Sequence, residues 1–369
     1  MKIAFVSAAQ SIHIVRWANA MNERGHDVTV ITCKNHMPSQ TERYEKGVRI
    51  IPLKFSAPLG YYLNVKRLKK LVKREKFDIL NVHYASGYAT LARRAKLKDA
   101  LLNIWGSDVY EFPYASAFNM RTSKKNLAYF KGVASTSFCM AAQAAKIADR
   151  EYFITPFGVD ISRFKPIEGY RNDSRIVIGT VKTLSPKYGI DVTINAFISA
   201  YNRLKEENSG LASRLYYQIY GRGEQREELQ KLIDGSGMSD RITLCGFVEN
   251  SGLPQVYNKF DIAVYGSVAE SFGVAAVEAM ACGLPVCATD ADGFKEVISD
   301  GKTGFISPKG DAGALAGNIY TLIKDKDLRA AMGKAGVERV ASLYDWDKNV
   351  DIMENIYNSL VGENDRIRS

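Results

Sequence analysis

No uninterrupted apolar run in this sequence reaches about 18 residues, so a membrane-spanning helix is not expected. The opening MKIAFVSAAQ lacks the charged, apolar and cleavage regions of a signal peptide and reads as a first β-strand. Cysteine is sparse. Cys33, Cys139, Cys245, Cys282 and Cys287 form an odd, scattered set without a CxxC pair, which argues for a reducing compartment and against a structural zinc site. GxSxG and HExxH are absent. DGKT (300–303) ends like a P-loop, but Glu296 stands where that loop needs its first glycine. GRGEQR (221–226) lacks the third glycine of a dinucleotide fingerprint and reads instead as a strand-to-helix turn that approaches a ligand through Gly221.

What is present is enough for two domains. The chain has 369 residues, 46% apolar and 24% charged, ordinary values for a soluble globular protein. Its net charge of +10 is unevenly placed. Residues 1–170 hold 27 Lys and Arg against 13 Asp and Glu, a net +14, and the remainder holds 23 against 27, a net −4. Two halves of opposite sign suggest different partners.

Short apolar strands alternate with helical stretches, the pattern of parallel α/β sheets. In the first half KIAFVS (2–7), VTVIT (28–32), VRIIPL (48–53), DILNVH (78–83), ALLNIW (100–105) and GVASTS (132–137) are strand candidates. A helix is expected from Ser11, as its cap, to about Arg24, with Ile14, Trp17, Ala18 and Met21 inward and Gly25 closing it. The rhythm restarts with RIVIGTV (175–181), LYYQIYG (215–221), ITLCGFV (242–248), DIAVYGS (261–267) and PVCATD (285–290). KPIEGYRNDS (165–174) has linker composition. Two doubly wound sheets are therefore expected: residues 1–168, residues 169–345, and a final helix and tail, 346–369, the helix spanning about Trp346–Leu360.

Residues 60–76, GYYLNVKRLKKLVKREK, predict one amphipathic helix with Tyr61, Val65, Leu68, Leu71 and Val72 on its apolar face. Lys66, Arg67, Lys69, Lys70, Lys73 and Arg74 occupy the rest, which suits either a solvated basic face or contact with an anionic lipid surface. No aromatic-interleaved basic motif supports nucleic acid.

AESFGVAAVEAM (269–280) places Glu270 and Glu278 on either side of a phenylalanine–glycine pair. VAAVEAMA is strongly helix-forming, and Gly283 with Pro285 stops it, so the helix begins near Phe272–Gly273. Eight helical residues span about 12 Å. A retaining glycosidase needs its carboxyls about 5–5.5 Å apart, so these two are not such a pair. A helix N-terminus beside a glycine suits a phosphate, and a carboxylate on either flank suits the hydroxyls of two attached sugar rings.

ESFGVAAVEAMACGLPV (270–286) is similar to the E-x7-E signature of retaining, nucleotide-sugar-dependent glycosyltransferases of family four, which have the GT-B fold. SIHIVRWANAMNERGHDVTVIT (11–32), WGSDVY (105–110), TPFGVD followed by Phe164 and Pro166 (155–166), LSPKYGID (184–191) and SDGKTGFISP (299–308) each resemble a block of that family. The resemblance implies two Rossmann-like domains facing a cleft, acceptor-binding first and donor-binding second, with the last helix crossing back to the first.

Carried over residue by residue, it implies that Glu278 binds the nucleotide ribose and Glu270 the transferred sugar. Phe272, Gly273 and Val274 offer backbone N–H groups to sugar and diphosphate, and Gly246, Phe247 and Val248 read the base. Lys182 and Lys187 stabilise the leaving diphosphate, fixed cations doing this without a metal. Against the commoner GRLxxxKG pattern, lined up on Leu184 and Gly189, the basic positions hold Thr183 and Tyr188, each with a lysine just before it. Where many relatives carry a histidine, WGSD has Trp105; Gly106 and Asp108 keep their places, and Asp108 joins the catalytic set. Ser11, His83 and Trp105 are the acceptor-side candidates.

The expected activity is transfer of a hexose-type sugar from a nucleotide diphosphate, a UDP-sugar, to an acceptor hydroxyl with retention. No protein nucleophile, metal or cofactor is expected, Asp290 and Asp292 being a DxD in the wrong fold position. The acceptor is a sugar or a lipid-linked molecule of surface polysaccharide or glycoconjugate assembly. The protein is expected in the cytoplasm, peripheral on the inner membrane face. A nucleotide-sugar 2-epimerase and a non-catalytic sugar-nucleotide binding protein are the alternatives.

Overall fold

The computed structural model describes residues 1–39, 43–171 and 174–368. The expected linker at 165–174 includes Asn172 and Asp173, which lie outside the described residues, as does Ser369 of the expected tail. The chain divides into two compact units, Met1–Pro156 with Lys348–Ser369, and Phe157–Asp347. The first boundary thus precedes the expected 168. Residues 157–164 pack within the second unit: Phe157 meets Phe272 with ring centroids 6.0 Å apart, Val159 bridges Asp345, and Phe164 lies 6.2 Å from Tyr257.

The first unit contains β1 (Lys2–Val6), β2 (Asp27–Thr32), β3 (Arg49–Pro52), β4 (Ile79–His83), β5 (Leu101–Ile104), β6 (Gly132–Ser135) and β7 (Phe153–Ile154). They form one parallel sheet in the order β3-β2-β1-β4-β5-β6-β7. The second unit contains β8 (Ile176–Val181), β9 (Leu215–Tyr220), β10 (Ile242–Gly246), β11 (Ile262–Tyr265), β12 (Val286–Thr289) and β13 (Gly304–Ser307). Their order is β10-β9-β8-β11-β12-β13, again parallel. Parallel sheets are covered by helices on both faces, so central strands such as FV of β1 and VCAT of β12 are buried throughout. Strand order reverses between β1 and β4 and between β8 and β11. The carboxyl ends of strands at such a switch point are where doubly wound sheets take ligands.

Three local expectations need correction. Ser11 occupies the N-cap position of the helix Ile12–Glu23 but makes no capping bond with its side chain. The single helix expected over 60–76 is two, Gly60–Leu63 and Val65–Glu75, with Asn64 between them. Asn64 is fully buried, and its amide donates to the Phe55 carbonyl (2.9 Å) while accepting from the Phe55 N–H (3.1 Å). A tertiary bond to a buried amide thus outweighs helix continuity. The final helix runs Trp346–Arg368, longer than expected. From Lys348 it belongs to the first unit, where the Asn81 amide bonds the Tyr357 hydroxyl and Arg24 pairs with Asp351 and, at 2.9 Å, with Glu354.

Candidate functional site

In the second unit, the two strands of the switch point deliver a cation and an anion to one place. Lys182 follows β8 and Glu270 lies in the loop after β11, and their Nζ and Oε2 atoms are 2.6 Å apart. Only 14% and 12% of the two side chains is exposed, so the pair is screened little by solvent. The Lys182 ammonium also sits 4.5 Å over the Tyr188 ring. Beside it opens a cavity of about 410 Å³, lined by Lys182, Tyr188, Gly221, Arg222, Phe247 and Val248 among others. Gly221 is required there, because a Cβ would lie 1.8 Å from the Lys182 carbonyl oxygen.

The loop of Glu270 ends at the expected helix tip. Gly273 is the N-cap of Val274–Ala281 with φ 99°, and a Cβ on it would press against Phe294 at 3.0 Å. The loop is pinned from both sides. Gly293 N–H donates to the Glu270 carbonyl (2.9 Å), and Phe272 is buried edge-on between Phe157 and Tyr344. The first N–H groups of any helix lack intrahelical acceptors, so this rigid tip presents donors and the positive dipole end together. Glu278, one turn further on, is 8% exposed, and its Oε2 accepts from the Tyr257 hydroxyl at 3.0 Å.

A second cavity of about 470 Å³ lies at the opposite ends of the strands, among Arg171, Arg175, Arg214, Lys326 and Arg329. Arg171 donates to the Cys282 carbonyl (2.8 Å) and Arg329 to those of Leu322 and Ile323 (2.6 and 2.8 Å). These arginines terminate helices, and the cavity is at the amino ends of the strands, away from the switch-point crevice.

In the first unit, His83 ends β4 and Trp105 follows β5, their rings meeting edge to face at 4.5 Å. His13 and Tyr84 pack on the same indole at 5.3 and 5.1 Å. His83 is fully buried, and neither ring nitrogen has a hydrogen-bond partner among the described residues. Burial, aided by nearby His13, pulls its pKa down to about 3. His13 is drawn down to about 4 by burial and Arg16. Both rings are therefore neutral at ordinary pH.

A family model described as "Glycosyl transferase 4-like" matches residues 2–137, and one described as "Glycosyl transferases group 1" matches residues 163–339. The chain belongs to the family-four glycosyltransferases. A curated relative, the phosphatidyl-myo-inositol mannosyltransferase of Mycobacterium leprae, is 25% identical over 376 residues, covering 96% of this chain and 94% of the relative. Among solved structures, sucrose-phosphate synthase from Thermosynechococcus elongatus superposes with a TM-score of 0.82 at 19% identity, covering 98% of this chain and 100% of that one. Anabaena HepE, solved in complex with UDP, gives 0.77 at 20% identity with coverages of 98% and 100%. The glycosyltransferase has the GT-B fold of two Rossmann-like domains.

Within the glycosyltransferase, the expected donor-side residues divide. Lys182, Glu270, Gly221, Phe247 and Val248 gather at one end of the β8–β11 crevice, with Gly246 (φ 84°) accepting from the Gly221 N–H at 2.8 Å. Lys187 is exposed on the short turn Pro186–Tyr188, and its neighbour Tyr188 is the residue that lines the cavity. Arg222 was missed. It lies 4.2 Å over the Phe247 ring, which is 49% exposed, and its only sequence signal is its place after Gly221. Asp108, expected among the catalytic groups, is buried with both oxygens engaged by the main chain. Oδ2 accepts from Ala85 N–H (2.8 Å), and Oδ1 accepts from Trp105 and Gly106 N–H (3.1 and 2.9 Å). Burial holds its pKa above the usual carboxylate range despite these bonds. It is a strut that shapes the Trp105 loop.

Proposed function

We propose that the protein is a retaining hexosyltransferase that uses a nucleotide-diphosphate sugar, a UDP-sugar in the first instance, without a metal. The Lys182–Glu270 pair at the switch point, beside a cavity and a rigid helix tip, carries the reading. The nucleotide base enters the cavity against Phe247 and Arg222. The diphosphate lies at the tip near Gly273, with Glu278 on the ribose and Glu270 on the hexose. As the bond from the anomeric carbon to phosphate oxygen breaks, the acceptor oxygen bonds to the same face and its proton passes to the leaving phosphate. Lys182 and the helix tip stabilise the charge that develops, and removal of one such preorganised group costs about 10²–10³ in kcat. HepE, crystallised with UDP, supports the uridine choice by fold alone.

The acceptor we propose is lipid-linked and reached at an anionic membrane surface, in surface glycoconjugate assembly at the cytoplasmic face. Lys66, Arg67, Lys69, Lys70, Lys73 and Arg74 are all exposed on the helix Val65–Glu75. Leu59, Tyr62 and Leu63, 69%, 42% and 55% exposed, flank its start, an apolar tip beside a basic face. The relative named a phosphatidyl-myo-inositol mannosyltransferase acts in keeping with such an acceptor. Among the described residues no helix is long and apolar enough to cross a membrane, so attachment is peripheral in this reading.

Thermal-shift screening against UDP- and GDP-sugars, followed by NMR of the product linkage with a sugar or lipid acceptor, tests the reaction. Stabilisation by UDP-sugars and an unchanged anomeric configuration are expected. Inversion, or stabilisation by no nucleotide sugar, overturns the reading. Flotation with anionic but not zwitterionic vesicles, lost at high salt, is expected for the surface.

A further inference from the structure

Glu278 is proposed above to hold the donor ribose, yet it stands in a helix whose packing is otherwise apolar. Of the helix Val274–Ala281, residues Ala276 to Ala281 are all buried. A carboxylate in such surroundings needs a partner that fixes it. One such partner is Tyr257, on the helix Leu253–Asn258. Tyr257 is completely buried, and its ring is wedged between Phe164 and Phe260 at centroid distances of 6.2 Å each. Its hydroxyl reaches Glu278 Oε2 at 3.0 Å. A second buried tyrosine, Tyr265, donates to the Ala275 carbonyl at 2.9 Å and so grips the first turn of the same helix. Burial, with Tyr265 and Glu278 nearby, keeps the Tyr257 hydroxyl protonated well beyond the ordinary tyrosine range. It is a permanent donor.

The Tyr257 hydroxyl takes one of the roughly four lone-pair positions that a carboxylate offers. We infer that Tyr257 is a positioning residue for the donor: by occupying one side of the Glu278 carboxylate it fixes the orientation in which the rest meets a ribose hydroxyl. The inference rests on the proposed ribose role of Glu278 and adds the group that preorganises it. A flexible carboxylate would have to be ordered at the moment of binding, whereas one held by a wedged ring is ordered beforehand. Tyr257 touches no ligand in this account. It acts only through Glu278.

The experiment compares UDP with 2′-deoxy-UDP, and GDP with 2′-deoxy-GDP, by titration calorimetry on wild type, Glu278→Gln, Tyr257→Phe and the double variant. Wild type is expected to prefer the ribonucleotide by about tenfold, the scale of one hydrogen bond to a charged group. Glu278→Gln should abolish most of that preference. Tyr257→Phe should cut it several-fold while 2′-deoxynucleotide binding is unchanged, and the double variant should lose no more than Glu278→Gln. A ratio measured on one sample does not depend on how much of a variant is folded, and Tyr257→Met serves if the phenylalanine variant does not accumulate. If Glu278→Gln keeps the full ribose preference, the ribose role itself fails. If Glu278→Gln loses it while Tyr257→Phe keeps it, or weakens both nucleotides equally, Tyr257 is merely core and the inference is overturned.

Discussion

Replacing His83 by phenylalanine separates burial from charge in the first unit. The imidazole is fully enclosed, neither nitrogen has a hydrogen-bond partner among the described residues, and its pKa is lowered to about 3. The unfolded chain titrates near 6.5. Between these values the unfolded state binds a proton that the folded state refuses. Stability from this group is therefore complete above pH 6.5 and is lost as pH falls toward 3, at about 1.4 kcal/mol per pH unit. From pH 7.5 to pH 5 the loss is about 2 kcal/mol. Phenylalanine retains an aromatic edge for the 4.5 Å contact with Trp105 and cannot titrate. It also removes buried polar atoms that cost about 1–3 kcal/mol when unmatched. His83→Phe is expected to be at least as stable as wild type at pH 7.5, and its advantage should grow by about 2 kcal/mol on going to pH 5. Urea unfolding followed by tryptophan fluorescence reports this, since Trp17 and Trp105 both lie in the first unit. All other titrating groups cancel in the difference. An advantage that does not change with pH, or a marked loss at pH 7.5, refutes the reasoning.

Lys182→Ala should lower kcat by about 10²–10³, because it removes a cation paired with Glu270 at 2.6 Å where leaving-group charge is proposed to develop; unchanged single-turnover rates contradict the proposed role. Gly273→Ala forces a side chain into φ 99° against Phe294 and should destabilise the second unit by about 1–3 kcal/mol in urea, with weaker nucleotide binding by calorimetry. Asp108→Asn places an amide where a carboxylate accepts three main-chain N–H groups, and a lowered melting temperature of the first unit is expected, worth about 1–3 kcal/mol. Chelation by EDTA should leave sugar transfer unchanged, since Asp290 already accepts from the Lys309 N–H at 3.0 Å and Asp292 pairs with Lys295 at 3.1 Å.

Much of this protein is legible in its one-dimensional pattern. Strands buried on both faces must be nearly continuous apolar runs, so VCAT or DILNVH announces itself locally, and glycine and proline mark where each helix ends. The two-residue strand β7 escaped because it is too short to carry any period, and β13 because GFIS sits among turn residues. The helix tip at Gly273 and its flanking glutamates were readable for the same local reason.

What the sequence by itself determined is the α/β rhythm, the two-unit organisation and the family resemblance, because backbone propensity and apolar period are properties of neighbours along the chain. Only the tertiary structure decided which polar side chains line the crevice of the second unit and which hold the chain together. Asn64 breaks a helix to bond Phe55, Asp108 serves main-chain N–H groups, Arg222 stacks on Phe247, and Tyr257 secures Glu278 from another helix. Each is a contact between groups distant in sequence or a competition between a side chain and the backbone. Hydrogen bonds are short-ranged and directional, so their partners exist only once the sheets have brought them within about 3 Å.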